Sequence, residues 1–165
     1  MENNTIIRVI GIGNPLAGDD AVGSHIVRNL VKYRISGVEF VDAGLVGLEL
    51  LDLLEGVKKV IIIDAFRSGG DPGEVVRLVL PEDLEQISAF AWESVMPSTH
   101  SIGIGEALTM GNILGILPPY LTIFGIELGQ TEMGRGLSRN IYPAIESVTS
   151  QILLELEQWT CMNSM

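Results

Sequence analysis

The sequence contains a single cysteine, Cys161, close to its C-terminal end. One thiol allows no internal disulfide and no Cys-x-x-Cys metal or redox site. Cationic side chains are also scarce: ten Lys and Arg stand against 21 Asp and Glu, for a formal net charge of −11. A nucleic-acid partner requires a basic surface to neutralise phosphates, so that balance argues against one. It leaves cations, a basic peptide or a basic protein surface as partners, with solubility as the plainer explanation. The usual peptidase signatures are absent: there is no His-Glu-x-x-His helix and no Gly-x-Ser-x-Gly elbow. The opening Met-Glu-Asn-Asn-Thr carries neither the basic nor the apolar region of a signal peptide, so a cytoplasmic location is expected. Hydrophobic residues make up 47% of the chain, yet its longest uncharged window, residues 107–126, holds Pro118-Pro119, Asn112 and three glycines. That composition rules against a continuous spanning helix. Repeats, low-complexity tracts and linkers are missing as well, and 165 residues fit one domain, residues 1–165.

The most informative segment present is Gly11-Ile-Gly-Asn-Pro-Leu-Ala-Gly-Asp-Asp-Ala-Val-Gly23. It follows an apolar run, residues 6–10, that reads as a buried strand. It leads into Val22-Gly-Ser-His-Ile-Val-Arg-Asn-Leu-Val31, whose apolar residues recur at helical spacing. A glycine-rich turn between strand and helix is common in phosphate-binding loops. Here the residue types say otherwise. The third glycine of a dinucleotide fingerprint is replaced by Leu16, and no lysine occurs before Lys32 to serve a Walker motif. Asp19 and Asp20 stand instead at the helix entrance, where carboxylates repel phosphate and attract cations. The alternative is that one of them only caps the helix and complements its dipole.

Strands are expected at residues 6–12, 38–42, 60–66, 74–80 and 121–127. Helices are expected at 20–31, 47–54, 102–116 and 140–159. Alternation of the two types predicts an α/β domain with a mostly parallel sheet, and runs such as Val60-Ile-Ile-Ile63 suit strands covered on both faces. The fourth strand follows Gly69-Gly-Asp-Pro-Gly73 without an intervening helix, which suggests a hairpin from the third strand into an antiparallel edge strand. The expected order is 2-1-3 plus edge elements.

In open α/β sheets, ligands bind beyond the carboxyl ends of the strands, where strand order reverses. Asp20 follows the first strand and Asp64 ends the third, in Val60-Ile-Ile-Ile-Asp-Ala-Phe66. A buried aspartate in that position needs a partner or a cation; its plainer reading is a satisfied carboxylate capping a loop. His100 lies in Pro97-Ser-Thr-His-Ser-Ile-Gly103. With Ser98 or Thr99 capping the following helix, the helix dipole keeps the imidazole neutral and its lone pair available to a metal. His25, in mid-helix, reads as structural. Two carboxylates and one imidazole would suit a divalent metal of the nickel, zinc, iron or manganese kind with open coordination positions. Asp19 is the nearest spare carboxylate, able to orient a ligand or act as a base.

With these residues in view, the chain resembles the hydrogenase maturation endopeptidases over about residues 6–157. The resemblance rests on the opening glycine loop, on Val41-Asp-Ala-Gly44 with Gly47-Leu-Glu-Leu-Leu51, and on Val60-Ile-Ile-Ile-Asp-Ala-Phe66. Pro72-Gly73, His100-Ser-Ile-Gly103 and Phe124-Gly-Ile-Glu127 complete it. By position, the family's acidic metal ligand falls on Asp20, its strand-end aspartate on Asp64 and its histidine ligand on His100. Ala21 departs from the pattern, since many members have glycine there. The resemblance implies a three-layer α/β/α sandwich with a twisted five-stranded sheet. It also implies an endopeptidase that cuts a [NiFe] hydrogenase large-subunit precursor near its C-terminus after nickel insertion. The nickel would be carried by the substrate, and the isolated enzyme could hold another divalent metal. Alternatives are a metal-binding chaperone with the same site, and a peptidase of the same fold acting on a non-hydrogenase protein. Residues 42–47, 67–73 and 92–99 are the expected cleft-lining loops.

Overall fold

A computed structural model describes residues 6–87, 91–92 and 102–161. Strand β1 (Ile7–Ile12) is followed by a 3-10 turn (Gly18–Ala21) and helix α1 (Val22–Leu30), then by β2 (Val38–Gly44) and α2 (Leu50–Leu54). Next come β3 (Lys59–Arg67), β4 (Val75–Leu80), the short α3 (Leu84–Ile87) and the two-residue β5 (Ala91–Trp92). Helix α4 (Ile104–Ile113), β6 (Tyr120–Glu127) and α5 (Tyr142–Cys161) complete the order. No helix among the described residues is long and apolar enough to cross a membrane.

The main sheet has the order β2-β1-β3-β6-β4, with β5 added on β3. β2, β1, β3 and β6 are mutually parallel, while β4 runs antiparallel along β6. The expected hairpin is therefore corrected. β4 is indeed an antiparallel edge strand, but β6 lies between it and β3. The glycine-rich connection carries the chain past a position that a later strand fills. Local turn chemistry gives the connection's shape and cannot show which strand arrives beside it.

Alternate residues of the strands feed two apolar layers, the outcome expected when both sheet faces are covered. Val9, Ile61, Ile63 and Phe124 pack with Val22, Ile26 and Val27 of α1 and with Val148 and Ile152 of α5. Ile10, Ile12, Ile62 and Ile123 pack with Leu50 and Leu54 of α2 and with Ile104 and Leu108 of α4. The result is the expected α/β/α sandwich. On β4 and β6, Arg77 and Thr122 both donate to the nearly buried Glu155 of α5, joining the antiparallel edge to the helix layer.

The contact of α1 with the sheet depends on a glycine pair. A Cβ built on Gly23 would lie 2.3 Å from the Ile12 carbonyl oxygen and 2.5 Å from that of Ile63, and one on Gly11 would lie 2.3 Å from the Gly23 oxygen. These are backbone atoms, so no rotamer change can relieve a clash. Gly23→Ala is expected to push α1 off the sheet and cost about 1–3 kcal/mol, the usual range for overpacking. Chemical denaturation checks this, and an unchanged unfolding midpoint would contradict the close approach.

Candidate functional site

The site begins at the carboxyl ends of β1 and β3, where the sheet reverses its order. β1 pairs with β3 only as far as Gly11 with Ile63. β5 takes up pairing with β3 on from Phe66 and Arg67. Asp64 falls between, just beyond the last residue of β3 that pairs with β1. Alternation along β3 puts its side chain on the same face as Ile62 and Phe66, the side of α2 and α4. Its partner across the sheet is Gly125 of β6. Cross-strand neighbours share a face, so no side chain of β6 stands directly opposite the carboxylate. Asp64 is fully buried, and its Oδ1 accepts the Ala65 N–H at 2.8 Å.

Asp20 approaches the same edge from β1. The expected helix over residues 20–31 divides, so that Asp20 belongs to the 3-10 turn preceding α1. Neither Asp19 nor Asp20 caps α1, whose N-cap is Ala21 without a side-chain bond. The capping alternative is thereby removed. Asp20 Oδ2 instead accepts the Asn14 N–H at 2.9 Å, folding the carboxylate back over the end of β1. Gly13 permits this with φ of +137°, because a Cβ there would lie 1.9 Å from the Asp20 carbonyl oxygen. Gly13 N–H also donates to the Gly44 carbonyl, tying the loop to the end of β2. The 3-10 turn lies against β3, and Gly23 abuts the carbonyl of Ile63, the residue before Asp64. Asp20 and Asp64 are thus brought to the same end of the sheet, on either side of the strand-end gap. Asp20 Oδ1 and Asp64 Oδ2 are both shut off from solvent.

His100 lies outside the described residues, as do Ser98 and Thr99. Helix α4 begins at Ile104 with Gly103 as its N-cap, so the expected serine or threonine cap is corrected. The residues between the expected and observed starts include Gly103, whose extended backbone (φ −76°, ψ 172°) ends the helical run. Among the described residues, no three His, Cys, Asp or Glu side chains gather into a metal-sized group. His25 is half-buried on α1, where burial first, then Lys32 and Arg28, push its imidazole below the usual value. That favours the neutral ring expected of a structural histidine.

Asp19 is no spare base. It is fully buried, and its Oδ2 accepts from the N–H groups of Gly129 (2.9 Å) and Gln130 (2.8 Å) and from Ser138 Oγ (2.8 Å). Oδ1 accepts the Ser138 N–H at 2.7 Å. The Asp19 N–H donates in turn to the Gln130 carbonyl. Asp19 therefore bolts both ends of the segment after β6 onto the turn that carries Asp20.

Glu127, another carboxylate at a strand end, closes the apolar run of β6 as Asp64 closes that of β3. It is buried and accepts from the Ser68 N–H and Oγ and from the Gly69 N–H. Its carbonyl also accepts from Gly73. Residues 67–73 are consequently held down rather than loose. Of the other expected cleft loops, residues 42–44 belong to β2, where Asp42 accepts from Ser24 and Arg28. Residues 93–99 lie outside the described residues.

Acidic side chains, not lysines or bare N–H groups, line the turn after β1. The molecule is an α/β/α protein whose switch-point edge carries the Asp20 and Asp64 carboxylates. The family model described as hydrogenase maturation protease matches residues 24–155. The Escherichia coli hydrogenase 2 maturation protease is 31% identical over 155 residues, covering 92% of this chain and 91% of that protein. Among solved structures, the E. coli hydrogenase maturating endopeptidase HybD superposes with a TM-score of 0.75 at 28% identity, covering 93% of each chain. A hydrogenase 2 maturation peptidase from Thaumarchaeota archaeon SCGC_AB-539-E09 gives 0.68 at 26% identity, covering 92% of this chain and 98% of that one. The chain belongs to the hydrogenase maturation protease family, and it is a protease.

Proposed function

We propose that this protease removes a C-terminal peptide from the precursor of a [NiFe] hydrogenase large subunit after nickel has been inserted. Asp20, Asp64 and His100 would engage the nickel that the precursor holds. The observation that carries the reading is the placement of two buried carboxylates at one end of the sheet, Asp20 on the turn after β1 and Asp64 on β3. Carboxylate oxygens accept divalent first-row metals, and a histidine would add the borderline donor that favours nickel or zinc over magnesium. An incomplete ligand set holds free metal weakly but completes the coordination of a metal already bound elsewhere. Recognition of the substrate would then report metal loading, and the cut would follow cofactor assembly.

The chain's own nucleophiles support a reading without a covalent acyl-enzyme. Cys161 is exposed at the end of α5. Nearby Trp159 offers its carbonyl to Lys59 Nζ at 3.0 Å. Lys59 opens β3, five residues before Asp64, and a strand rises about 3.3 Å per residue. The thiol therefore sits at the opposite end of the sheet from the carboxylates.

Incubation with nickel-loaded and nickel-free large-subunit precursor tests the proposal. Only the loaded form is expected to bind and lose its C-terminal peptide, and thiol-blocking reagents should leave the rate unchanged. Equal affinity for both forms would overturn metal recognition. Binding of the loaded form without cleavage would favour a metal-binding chaperone instead.

A further inference from the structure

We infer that Asn14 is a positioning residue for Asp20, its side chain setting the turn that aims the Asp20 carboxylate. This rests on the reading in which Asp20 engages the nickel of the substrate, and it adds the residue that holds Asp20 ready. Hydrogen bonds close residues 14–20 into a ring. The Asn14 N–H donates to Asp20 Oδ2 at 2.9 Å. The Asn14 carbonyl accepts the Ala17 N–H at 3.1 Å, and the Ala17 carbonyl accepts the Asp20 N–H at 3.0 Å. Asn14 Oδ1 accepts the Leu16 N–H at 3.0 Å, the bond that asparagine makes two residues ahead of itself in a turn. Asparagine at the first position and Pro15 at the second are the residues such a turn favours. The Asn14 backbone thus bonds the carboxylate, while its side chain shapes the turn by which the chain returns to it.

The two ends of this ring differ in burial. Asp20 is 5% exposed, whereas the bond from the Leu16 N–H to Asn14 lies at the surface. Water can take over that N–H if Asn14 loses its amide, so truncation loosens the turn without stranding a buried donor. The effect falls on Asp20, whose carboxylate must hold one orientation to complete the coordination of a metal bound elsewhere. Groups that orient a metal ligand are commonly worth about 10–100-fold in affinity or activity.

The test measures the affinity of Asn14→Ala, Asn14→Ser and Asn14→Asp for nickel-loaded and nickel-free precursor. Asn14→Ala is expected to weaken binding of the loaded precursor about tenfold and to bind the nickel-free precursor as the wild type does. Serine and aspartate keep an acceptor for the Leu16 N–H, serine the weaker one, and both give up the contact of Nδ2 with Met133 Sδ at 3.9 Å. Asn14→Asp should therefore restore wild-type affinity, and Asn14→Ser part of it. Rescue by aspartate alone would overturn the inference, by making added charge the cause. In an Asp20→Asn background, Asn14→Ala should cost nothing further, because residues acting as one unit are not additive. Additive losses would overturn the role, as would an equal loss for both precursor forms. An Asn14→Ala chain that does not fold would overturn it too, by making Asn14 a determinant of the fold. A wild type that binds both precursor forms equally removes the nickel reading and this role together, whereas a nickel preference that survives Asn14→Ala undiminished removes this role alone.

Discussion

Asp64→Asn is expected to lower precursor processing by two orders of magnitude or more while the protein stays folded. Asparagine keeps an oxygen to accept the Ala65 N–H that Asp64 Oδ1 accepts now. It removes only the charge and one acceptor, so the variant isolates what the carboxylate does. Groups that merely support a metal ligand are commonly worth about 10–100-fold in affinity or activity, and loss of a ligand should cost at least ~10²-fold. The same argument holds for Asp20→Asn, where the remaining oxygen can take the Asn14 N–H. Steady-state processing assays, with circular dichroism as the folding control, decide it. Near-wild-type processing by either variant would remove that residue from the site.

The neighbouring carboxylate should behave in the opposite way. Asp19→Ala is expected to produce a large loss of stability, about 3–5 kcal/mol, as when one partner of a buried charged network is removed. The substitution strands three backbone N–H groups and the Ser138 hydroxyl. Asp19→Asn should recover little, because whichever way the amide turns, its NH₂ faces a donor. Processing should fall as well, since the turn bearing Asp20 loses its tie to the segment after β6. Denaturant unfolding measures the effect, and a change below about 1 kcal/mol, the worth of one ordinary hydrogen bond, would contradict the bonding seen. Two adjacent aspartates thus have separable signatures: Asp20 acts on activity and Asp19 on stability.

Residue type and spacing do not separate them; in the sequence only the family resemblance singles out Asp20. Asp19 and Asp20 are the same residue type at consecutive positions, and both were legible as cation-attracting carboxylates. Only the approach of residues 129–138, more than a hundred positions along the chain, shows which one is consumed by structural bonds.

What the sequence determined by itself was whatever depends on local pattern. Apolar runs and helical spacing gave the alternation of strands and helices, and the strand-to-helix glycine loop placed Asp20 at the carboxyl edge. An aspartate ending the apolar run of β3 marked Asp64, and the combined motifs pointed to the family. Tertiary structure decided what depends on which distant segments meet. It inserted β6 between β3 and β4, turned Asp20 back over Gly13 instead of leaving it as a cap, and enclosed Asp19 and Glu127 in hydrogen bonds. The physical reason is that backbone periodicity is a property of neighbouring residues, whereas satisfying a buried carboxylate depends on the donors that the rest of the fold delivers to it.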